Sequence, residues 1–427
     1  MMNSMNYPVR ASLRFLVASS LALSLACGDD AMPRMDTGLM DGGRRDAVPT
    51  DTDGVDVPRP DAPMPDVDLD ECTVTDVTIA MDFIGTPRPV SVQVDPMGFL
   101  VAWRQQMGAA EDAYTGIIGT DGTSVLSTSQ LTDDLGSNRN LVMRDGIALW
   151  EDDLAERIEF TVRGRQVSGG AEFDVTSRTG NAQRPAVAAL GPSSWVIGYS
   201  EQAGANWDVK VRTYDGSSLG NATTLTTVAA PVHLALHASE GQMMASWVEG
   251  GNVMMQPLNA SAMAVGAPFV VSTEGNAVGP VHIAFGELGG VVVFDVSLGG
   301  RPEIRSRLLN NDGTPKRAEQ IVSLAPAQGQ VANVVYYMGG FAAIYHERLM
   351  GVTTIQLVFI HGSDGDVVDK IELGTAAFDD GIPGVAVRDD GLIGAVWAET
   401  SGAGTDIRGR RVSCPGAWLR CSPMGTE

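Results

Sequence analysis

GFLVAW, residues 98–103, is a short apolar run that ends in a tryptophan, and runs of this kind recur along the chain, as in GIALW at 146–150 and SWVIGY at 194–199. A continuous apolar run of this length, bounded by turn residues, predicts a buried β-strand. The final aromatic residues, here called the anchors, are Trp103, Trp150, Tyr199, Trp247, Phe294, Tyr345 and Trp397. Their spacings of 47, 49, 48, 47, 51 and 52 residues indicate an internal repeat.

Three further strand patterns accompany most anchors. A small apolar strand precedes the anchor by about a dozen residues, as in RPAVAAL at 184–190. An alternating strand follows it, as in WDVKVRTYDG at 207–216, and then a fourth, as in APFVVS at 267–272. Turn residues such as Asp-Gly lie between the third and fourth strands, where a hairpin needs residues that tolerate positive φ. Each unit is therefore predicted to be a four-stranded antiparallel meander, the unit of a propeller blade.

The two ends of the repeat region complete each other. VTDVTIAMD, residues 74–82, matches the fourth-strand pattern but precedes the first anchor, whereas the last unit ends at its third strand near Cys414. Pairing these ends would complete the last blade and remove an exposed sheet edge. The predicted fold class is all-β: a seven-bladed β-propeller of four-stranded antiparallel blades, over residues 72–427, with the N-terminal strand completing the last blade.

The positions of the cysteines are relevant to the same pairing of the two ends. Cys72 opens the propeller region, and Cys414 and Cys421 close it. The chain has four cysteines, and three remain when Cys27 in the N-terminal segment is set aside. An odd number in an exported protein favours one bridge and one leftover thiol. A bridge from Cys72 to Cys414 or Cys421 would join the two ends, and a local Cys414–Cys421 bridge is the alternative. These cysteines show no CxxC spacing or adjacent histidine, so they are not expected to bind metal.

The N-terminal residues predict where in the cell the protein is located. Arg10 and Arg14 precede the apolar residues 15–26, a stretch shorter than the roughly 20 residues of a membrane-spanning helix, so residues 1–26 are predicted to be a signal peptide. SLAC at 24–27 resembles the bacterial lipobox, although Ser24 stands where that family usually has leucine. The resemblance implies that Cys27 is lipidated and anchors the protein, with Gly28 favouring the outer membrane over the inner. An ordinary secretory signal with an incidental cysteine is the alternative.

Residues 27–71 are predicted to be a disordered tether. From residue 28 this segment has twelve Asp, six Pro and a net charge of −9, and such a composition cannot bury enough apolar surface to fold. The chain from residue 72 onward carries a further −16. This acidity argues against nucleic acid as a partner and against direct adhesion to anionic lipid.

The period and strand pattern of residues 74–414 resemble exported bacterial propellers with degenerate repeats, similar in layout to WD40 and TolB-type repeats. The WD40 signature, the TolB-type SPDG turn and the sialidase Asp-box are all missing from the sequence. The resemblance therefore implies the architecture of a propeller and no particular function.

An acidic residue recurs two positions after most anchors, interrupted by Gln105 and Val296; the set is Asp152, Glu201, Glu249, Glu347 and Glu399. The functional interpretation is a rim that binds a cation or a sugar. The structural interpretation is that each acid pairs with a base on the neighbouring third strand, such as Arg163, Arg212 or Arg411. Because repetition in most blades suits a packing feature, we expect the structural role.

Histidines are the other candidates for a site. His233 and His282 occupy matching places in PVHLA and PVHIA, and His237 shares a strand face with His233. If the first strands line a central channel, these three could bind a metal there. The simpler expectation is that they fill the interior, with no metal and no cofactor.

No catalytic residue is predicted, because GxSxG, GxxxxGK[ST] and HExxH are all absent from the sequence. The expected function is that of a cell-envelope lipoprotein, membrane-anchored through its lipid, presenting the propeller as a non-enzymatic binding or scaffold module for a protein or polysaccharide partner. The alternative is a propeller hydrolase or lyase acting on extracellular polysaccharide, since glycoside hydrolysis needs only two suitably spaced carboxylates.

Overall fold

The structure is a computed structural model that describes residues 72–83, 91–107, 110–121, 125–132, 137–153, 159–239, 242–323, 328–376, 382–401 and 404–414. All of them belong to one compact unit, Pro60–Glu427. The predicted signal peptide, the lipidation site at Cys27, the tether and Cys421 lie outside the described residues.

The described strands form seven four-stranded antiparallel sheets, the blades. Blades 1 to 7 are numbered by their first strands: β2 (Ser91–Asp95), β6 (Asn138–Arg144), β10 (Ala182–Gly191), β14 (Leu234–Ser239), β18 (Ala277–Gly286), β22 (Gln328–Tyr337) and β26 (Gly384–Val387). The second strands carry the anchors: β3 (Gly98–Met107), β7 (Ile147–Asp152), β11 (Ser194–Ala203), β15 (Gln242–Glu249), β19 (Gly289–Leu298), β23 (Gly340–Leu349) and β27 (Ile393–Ser401).

The third and fourth strands complete each blade towards its outer edge. The third strands are β4 (Ala110–Gly119), β8 (Thr161–Gln166), β12 (Asn206–Tyr214), β16 (Asn252–Leu258), β20 (Arg301–Leu309), β24 (Val352–Ile360) and β28 (Gly404–Ser413). The fourth strands are β5 (Val125–Gln130), β9 (Phe173–Asp174), β13 (Thr223–Val228), β17 (Phe269–Val270), β21 (Gln320–Ile321), β25 (Val367–Thr375) and, in blade 7, β1 (Thr73–Phe83). The described residues include no helix, and hence none that could cross a membrane.

The first strands form a closed ring around an axis. Each contacts the first strand of the next blade, and β26 contacts β2. The ring is closed by β1, which pairs antiparallel with β28 from Thr73 opposite Ser413 to Phe83 opposite Thr405. A disulfide joins Cys72 to Cys414 at the same seam. The seven-bladed fold and its N-terminal closing strand are thus confirmed, and the alternative Cys414–Cys421 pairing is wrong.

The hydrophobic core is divided among the blades. All seven anchors are buried, and the buried side chains form seven clusters, each shared by two adjacent blades. The blades approach closely where a glycine permits it: a Cβ at Gly394 of blade 7 would lie 2.6 Å from Cδ1 of Phe99 in blade 1. Because every cluster needs two blades, no single blade buries its own apolar surface.

The ring has two faces, here called end A and end B. End A is the face where the first strands begin and the second strands end, as where Asn138 of β6 lies opposite Asp152 of β7. End B is the opposite face, where β6 ends at Arg144 and turns into β7 at Ile147.

Candidate functional site

An axial cavity of about 160 Å³ runs between the first strands. Its polar lining residues are Ser91, Arg144, His233, His282 and Asn333, and the other described lining residues are apolar. None of the described lining residues is Asp or Glu. In a strongly acidic chain, the axis is thus lined by arginine, histidine and neutral polar groups.

The first strands are irregular near end A. Bulges interrupt the pairing of the first and second strands in blades 2, 3, 5 and 6. Within three of these bulges the backbone is left-handed, with φ of 47° at Asn140, 59° at Arg184 and 70° at Gly279. Arginine rarely adopts this conformation, and bulges redirect side chains at functional sites. The bulge in blade 3 therefore determines where Arg184 lies.

A buried glutamate holds this bulge in place. Glu151 of blade 2 is 2% exposed. Its Oε1 accepts a hydrogen bond from the backbone N of Arg184 at 2.6 Å and another from Nδ2 of Asn140 at 2.5 Å. A buried carboxylate that accepts two hydrogen bonds is held firmly in one position. Glu151 thus stabilises the left-handed backbone that presents Arg184.

Arg184 contacts His233 across the boundary between blades 3 and 4, with 2.7 Å between an Nη atom of Arg184 and Nε2 of His233. Burial, followed by the charge of Arg184 and the interaction with His282, lowers the pKa of His233 to about 3. His233 is therefore neutral near pH 7. Its Nε2 accepts the hydrogen bond from Arg184, which assigns the ring proton to Nδ1.

His233, His237 and His282, here called the blade 4–5 histidines, lie at successive levels along the axis. Leu234 is opposite the anchor Trp247, but Val281 is opposite the anchor Phe294. His282 is therefore level with Ala235, two residues beyond His233. The predicted equivalence of His233 and His282 is wrong by two residues, as their separation of 49 against an anchor spacing of 47 already indicated.

The other two of these histidines are also neutral in the folded protein. Burial lowers the pKa of His282 to about 4 and that of His237 to about 3, with the charge of Arg144 as the second cause in both. The His237 ring packs against Phe285, with 5.0 Å between the ring centroids. Among the described residues, no three His, Cys, Asp or Glu side chains are grouped to hold a metal ion.

The repeated acids two positions after the anchors make contacts that fit the structural interpretation. Four pair with a base in their own blade: Asp152 with Arg163 at 2.7 Å, Glu201 with Lys210 at 2.6 Å, Glu347 with Lys370 at 2.8 Å and Glu399 with Arg408 at 2.9 Å. The fifth, Glu249, accepts a hydrogen bond from Nε1 of Trp247 at 2.9 Å.

The partners of these acids differ in part from the predicted ones. Arg163 is confirmed as a partner, whereas Arg212 donates to the carbonyl oxygens of Val175 and Gly220, and Arg411 donates to that of Thr120. The reason is strand register. In three blades the pairing base lies directly opposite the anchor: Arg163 opposite Trp150, Lys210 opposite Tyr199 and Arg408 opposite Trp397.

The position directly after each anchor was missed by sequence reasoning. Five of the seven blades bury a polar residue there, and its chemistry changes from blade to blade: Arg104, Glu151, Ser200, Asp295 and His346. Three of these side chains bond to the next blade at end A, where Arg104 donates to the Asn138 carbonyl, Glu151 accepts from Arg184 and Ser200 donates to the Val232 carbonyl. The sequence signal that could have identified this position is the polar residue that directly follows each of these apolar runs.

The fold and this site define the class of protein: a seven-bladed β-propeller with a largely apolar axial channel into which an arginine and two histidines are set. No protein-family model and no curated protein matches the chain.

Solved structures with a similar strand layout include the subtype N10 neuraminidase-like protein of A/little yellow-shouldered bat/Guatemala/060/2010, at 12% identity and a TM-score of 0.43, with 80% of this chain and 99% of that one covered. A Trypanosoma rangeli sialidase is similar at 11% identity and a TM-score of 0.40, covering 79% of this chain and 59% of that one. A prolyl endopeptidase structure is similar at 14% identity and a TM-score of 0.43, covering 77% of this chain and 45% of that one. This chain therefore spans less than two thirds of the latter two proteins, and its function has to be argued from the site itself.

Proposed function

We propose that the protein is a lipid-anchored propeller of the bacterial cell envelope that binds an envelope polysaccharide at end A of its axial channel, without turning it over. The observation that carries this proposal is the arrangement of Glu151, Arg184 and His233. A left-handed arginine at a bulge costs conformational energy, and such strain clusters at functional sites. The group is not one of the repeated acid–base pairs of the blades. Arg104 and Ser200 also bond to the next blade from the same offset, but through backbone carbonyls. Among the described residues, the pairing of Arg184 with His233 is therefore particular to blades 3 and 4.

The shape and chemistry of the cavity favour a sugar over a protein surface as the ligand. Protein interfaces are broad, whereas small-molecule sites are concave and carry a few placed polar groups. The axial cavity has that second form, with Ser91, Asn333 and His282 among its polar groups. A protein partner is the competing outcome of the binding experiment.

The proposed location rests on the N-terminal sequence. Lipidation at Cys27 would attach the protein to the membrane, in the outer membrane by the Gly28 criterion, because several acyl chains bind far more durably than one. Residues 28–71, as a flexible coil, would hold the propeller about 40 Å from that anchor. This distance would let end A reach polysaccharide beyond the lipid headgroups.

A hydrolase or lyase acting on extracellular polysaccharide is the second candidate. Its support is the set of unlike buried residues after the anchors, which includes the carboxylates Glu151 and Asp295. Glycoside hydrolysis requires two carboxylates that flank the scissile bond. No described residue that lines the cavity is a carboxylate, and Glu151, which like Arg184 is not among the lining residues, is engaged by Asn140 and Arg184. Binding without turnover is therefore the function that the geometry supports best.

The test uses the 427-residue precursor, exported, processed and solubilised in detergent, with fractionated envelope polysaccharides and envelope proteins as ligands. Retention and the appearance of new reducing or unsaturated sugar ends are recorded together. Arg184→Asn is the informative variant, because asparagine tolerates positive φ but lacks the guanidinium. Arg317→Asn, at an exposed position between β20 and β21 on end B, is the matched control.

Polysaccharide retention that Arg184→Asn abolishes and Arg317→Asn preserves, with no new sugar ends, supports the proposal. New sugar ends establish the second candidate in its place. The proposed site is overturned if only envelope proteins are retained. It is also overturned if the parent, Arg184→Asn and Arg317→Asn retain polysaccharide equally.

A further inference from the structure

We propose that the axial channel is a binding site for one small oxyanion group, a carboxylate, phosphate or sulfate, held by Arg184 together with the imidazoles of His233 and His282. This inference deepens the proposed function, on which it rests for its biological setting, by naming the group of the polysaccharide that enters the channel. Free anions test it independently.

The charge distribution is the first argument. The chain from residue 72 onward has a net charge of −16, yet no described residue lining the cavity is acidic. Arg184 is not itself among the lining residues, but at end A it contacts His233, which is. Arg144 lines the cavity towards end B, with Oδ2 of Asp145 at 3.8 Å from its Nε. The histidines are neutral, so the positive charge comes from these two arginines, one towards each end of the channel, and the resulting positive potential favours entry of an anion.

Unused hydrogen-bonding capacity is the second argument. The buried side-chain atoms that have no hydrogen-bond partner among the described residues include Nε of Arg184 and Nε2 of His282, both at the channel. Buried polar atoms in native proteins nearly always have one, so each such exception calls for a ligand or another explanation. The His282 ring lines the cavity, and a half-turn about its Cβ–Cγ bond exchanges ring nitrogens with ring carbons. The ring can thereby turn an N–H towards a bound oxygen.

The third argument is that the basic group is held in place before any ligand arrives. Glu151 fixes the backbone of Arg184, and its carboxylate accepts from that backbone N–H at 2.6 Å. The guanidinium carries five N–H donors and spends one on His233. The remaining donors suit an oxyanion, which arginine can bind through two parallel hydrogen bonds.

Cavity size limits the ligand. The cavity volume of about 160 Å³ is well below the roughly 300–1,000 Å³ of typical ligand pockets. It therefore accommodates one charged substituent and a few waters, and a complete saccharide chain would have to stay at the mouth on end A.

Isothermal titration calorimetry on the solubilised protein tests the inference, with inorganic phosphate, sulfate and glucuronate as separate titrants at low ionic strength. We expect one-to-one binding of at least one titrant, and its identity distinguishes a phosphate, a sulfate or a carboxylate group as the source of the charge. Arg184→Asn should weaken that binding at least tenfold, and Arg317→Asn should leave it unchanged.

His282→Leu separates binding from folding. It removes a buried nitrogen without a partner, so the variant should melt at the same or a higher temperature than the parent while binding the anion at least threefold more weakly. No binding of any titrant up to 10 mM, or equal binding by the parent and Arg184→Asn, overturns the inference.

The two proposals fail in different ways. Polysaccharide retention that depends on Arg184, with no binding of free anions, leaves the proposed function standing and refutes the oxyanion site. Anion binding without polysaccharide retention refutes the proposed function and leaves the oxyanion site standing.

Discussion

The bridge between Cys72 and Cys414 allows a quantitative test of how the ring is closed. Its two cysteines are 342 residues apart, so the loop that it closes in the unfolded chain is very long. The chain-entropy relation gives about 6 kcal/mol of stabilisation for a loop of this length. That is comparable to the entire free energy of unfolding of many domains, about 5–15 kcal/mol. We expect the Cys72→Ser/Cys414→Ser double variant to lose about 4–6 kcal/mol.

The assay is urea unfolding of the solubilised protein, followed by tryptophan fluorescence, because anchors such as Trp103 and Trp397 are buried on either side of the seam. Cys421→Ser is the control, since it removes a cysteine that does not belong to the bridge, and its unfolding curve should match that of the parent. If the double variant unfolds within about 1 kcal/mol of the parent with the same slope, the loop-entropy reasoning is refuted. The pairing of β1 with β28 would then close the ring unaided.

Three further predictions concern packing, ion pairing and pH. Asp152→Asn should cost about 3 kcal/mol, measured by urea unfolding, because it breaks a buried pair with Arg163 whose side chains are 1% and 11% exposed; a cost under 0.5 kcal/mol would show that the neighbouring acids of Arg163 suffice. Gly394→Ala should cost about 1–3 kcal/mol in thermal unfolding, because its Cβ would lie 2.6 Å from the Phe99 ring, and an unchanged melting temperature would contradict the tight contact of blades 1 and 7. The blade 4–5 histidines have folded-state pKa values of about 3 to 4, whereas histidines in the unfolded chain have pKa values near 6.5, so the unfolded chain binds more protons as the pH falls. Between pH 7 and 5 each of the three histidines should therefore lower the free energy of unfolding by about 2 kcal/mol. His237→Leu should remove about one third of the loss that the three histidines cause together. A loss of the same size in that variant would count against this assignment.

The architecture is predictable from the sequence because the pattern that marks a second strand occurs seven times. One apolar run ending in an aromatic residue is ambiguous, but seven at nearly constant spacing are not. Closure was readable as well, since a fourth-strand pattern at 74–82 had no blade of its own and the last blade lacked one. Cys72 and Cys414 flank that pair of strands, and the structure joins them.

Strand register is where sequence reasoning failed. The period places each blade but does not state which residues face each other across a hairpin, because loop lengths and bulges set that locally. Arg212 was expected to pair with an acid, yet the register places Lys210 opposite the anchor and next to Glu201. The bulge in β18 likewise moved His282 two residues away from its apparent equivalent, His233.

The candidate site lies where the repeat breaks. A perfectly regular ring would surround its channel with seven equal walls, and a ligand without sevenfold symmetry would find no preferred orientation there. The bulges at end A remove that equality, and the left-handed Arg184 costs of the order of 1–3 kcal/mol unless its surroundings fix it. Glu151 does so with a hydrogen bond from blade 2, and it stands directly after an anchor, where the buried polar residues differ in chemistry from blade to blade. In a propeller, therefore, the positions that repeat explain the ring, and unlike residues at matching positions are where recognition of a ligand should be sought.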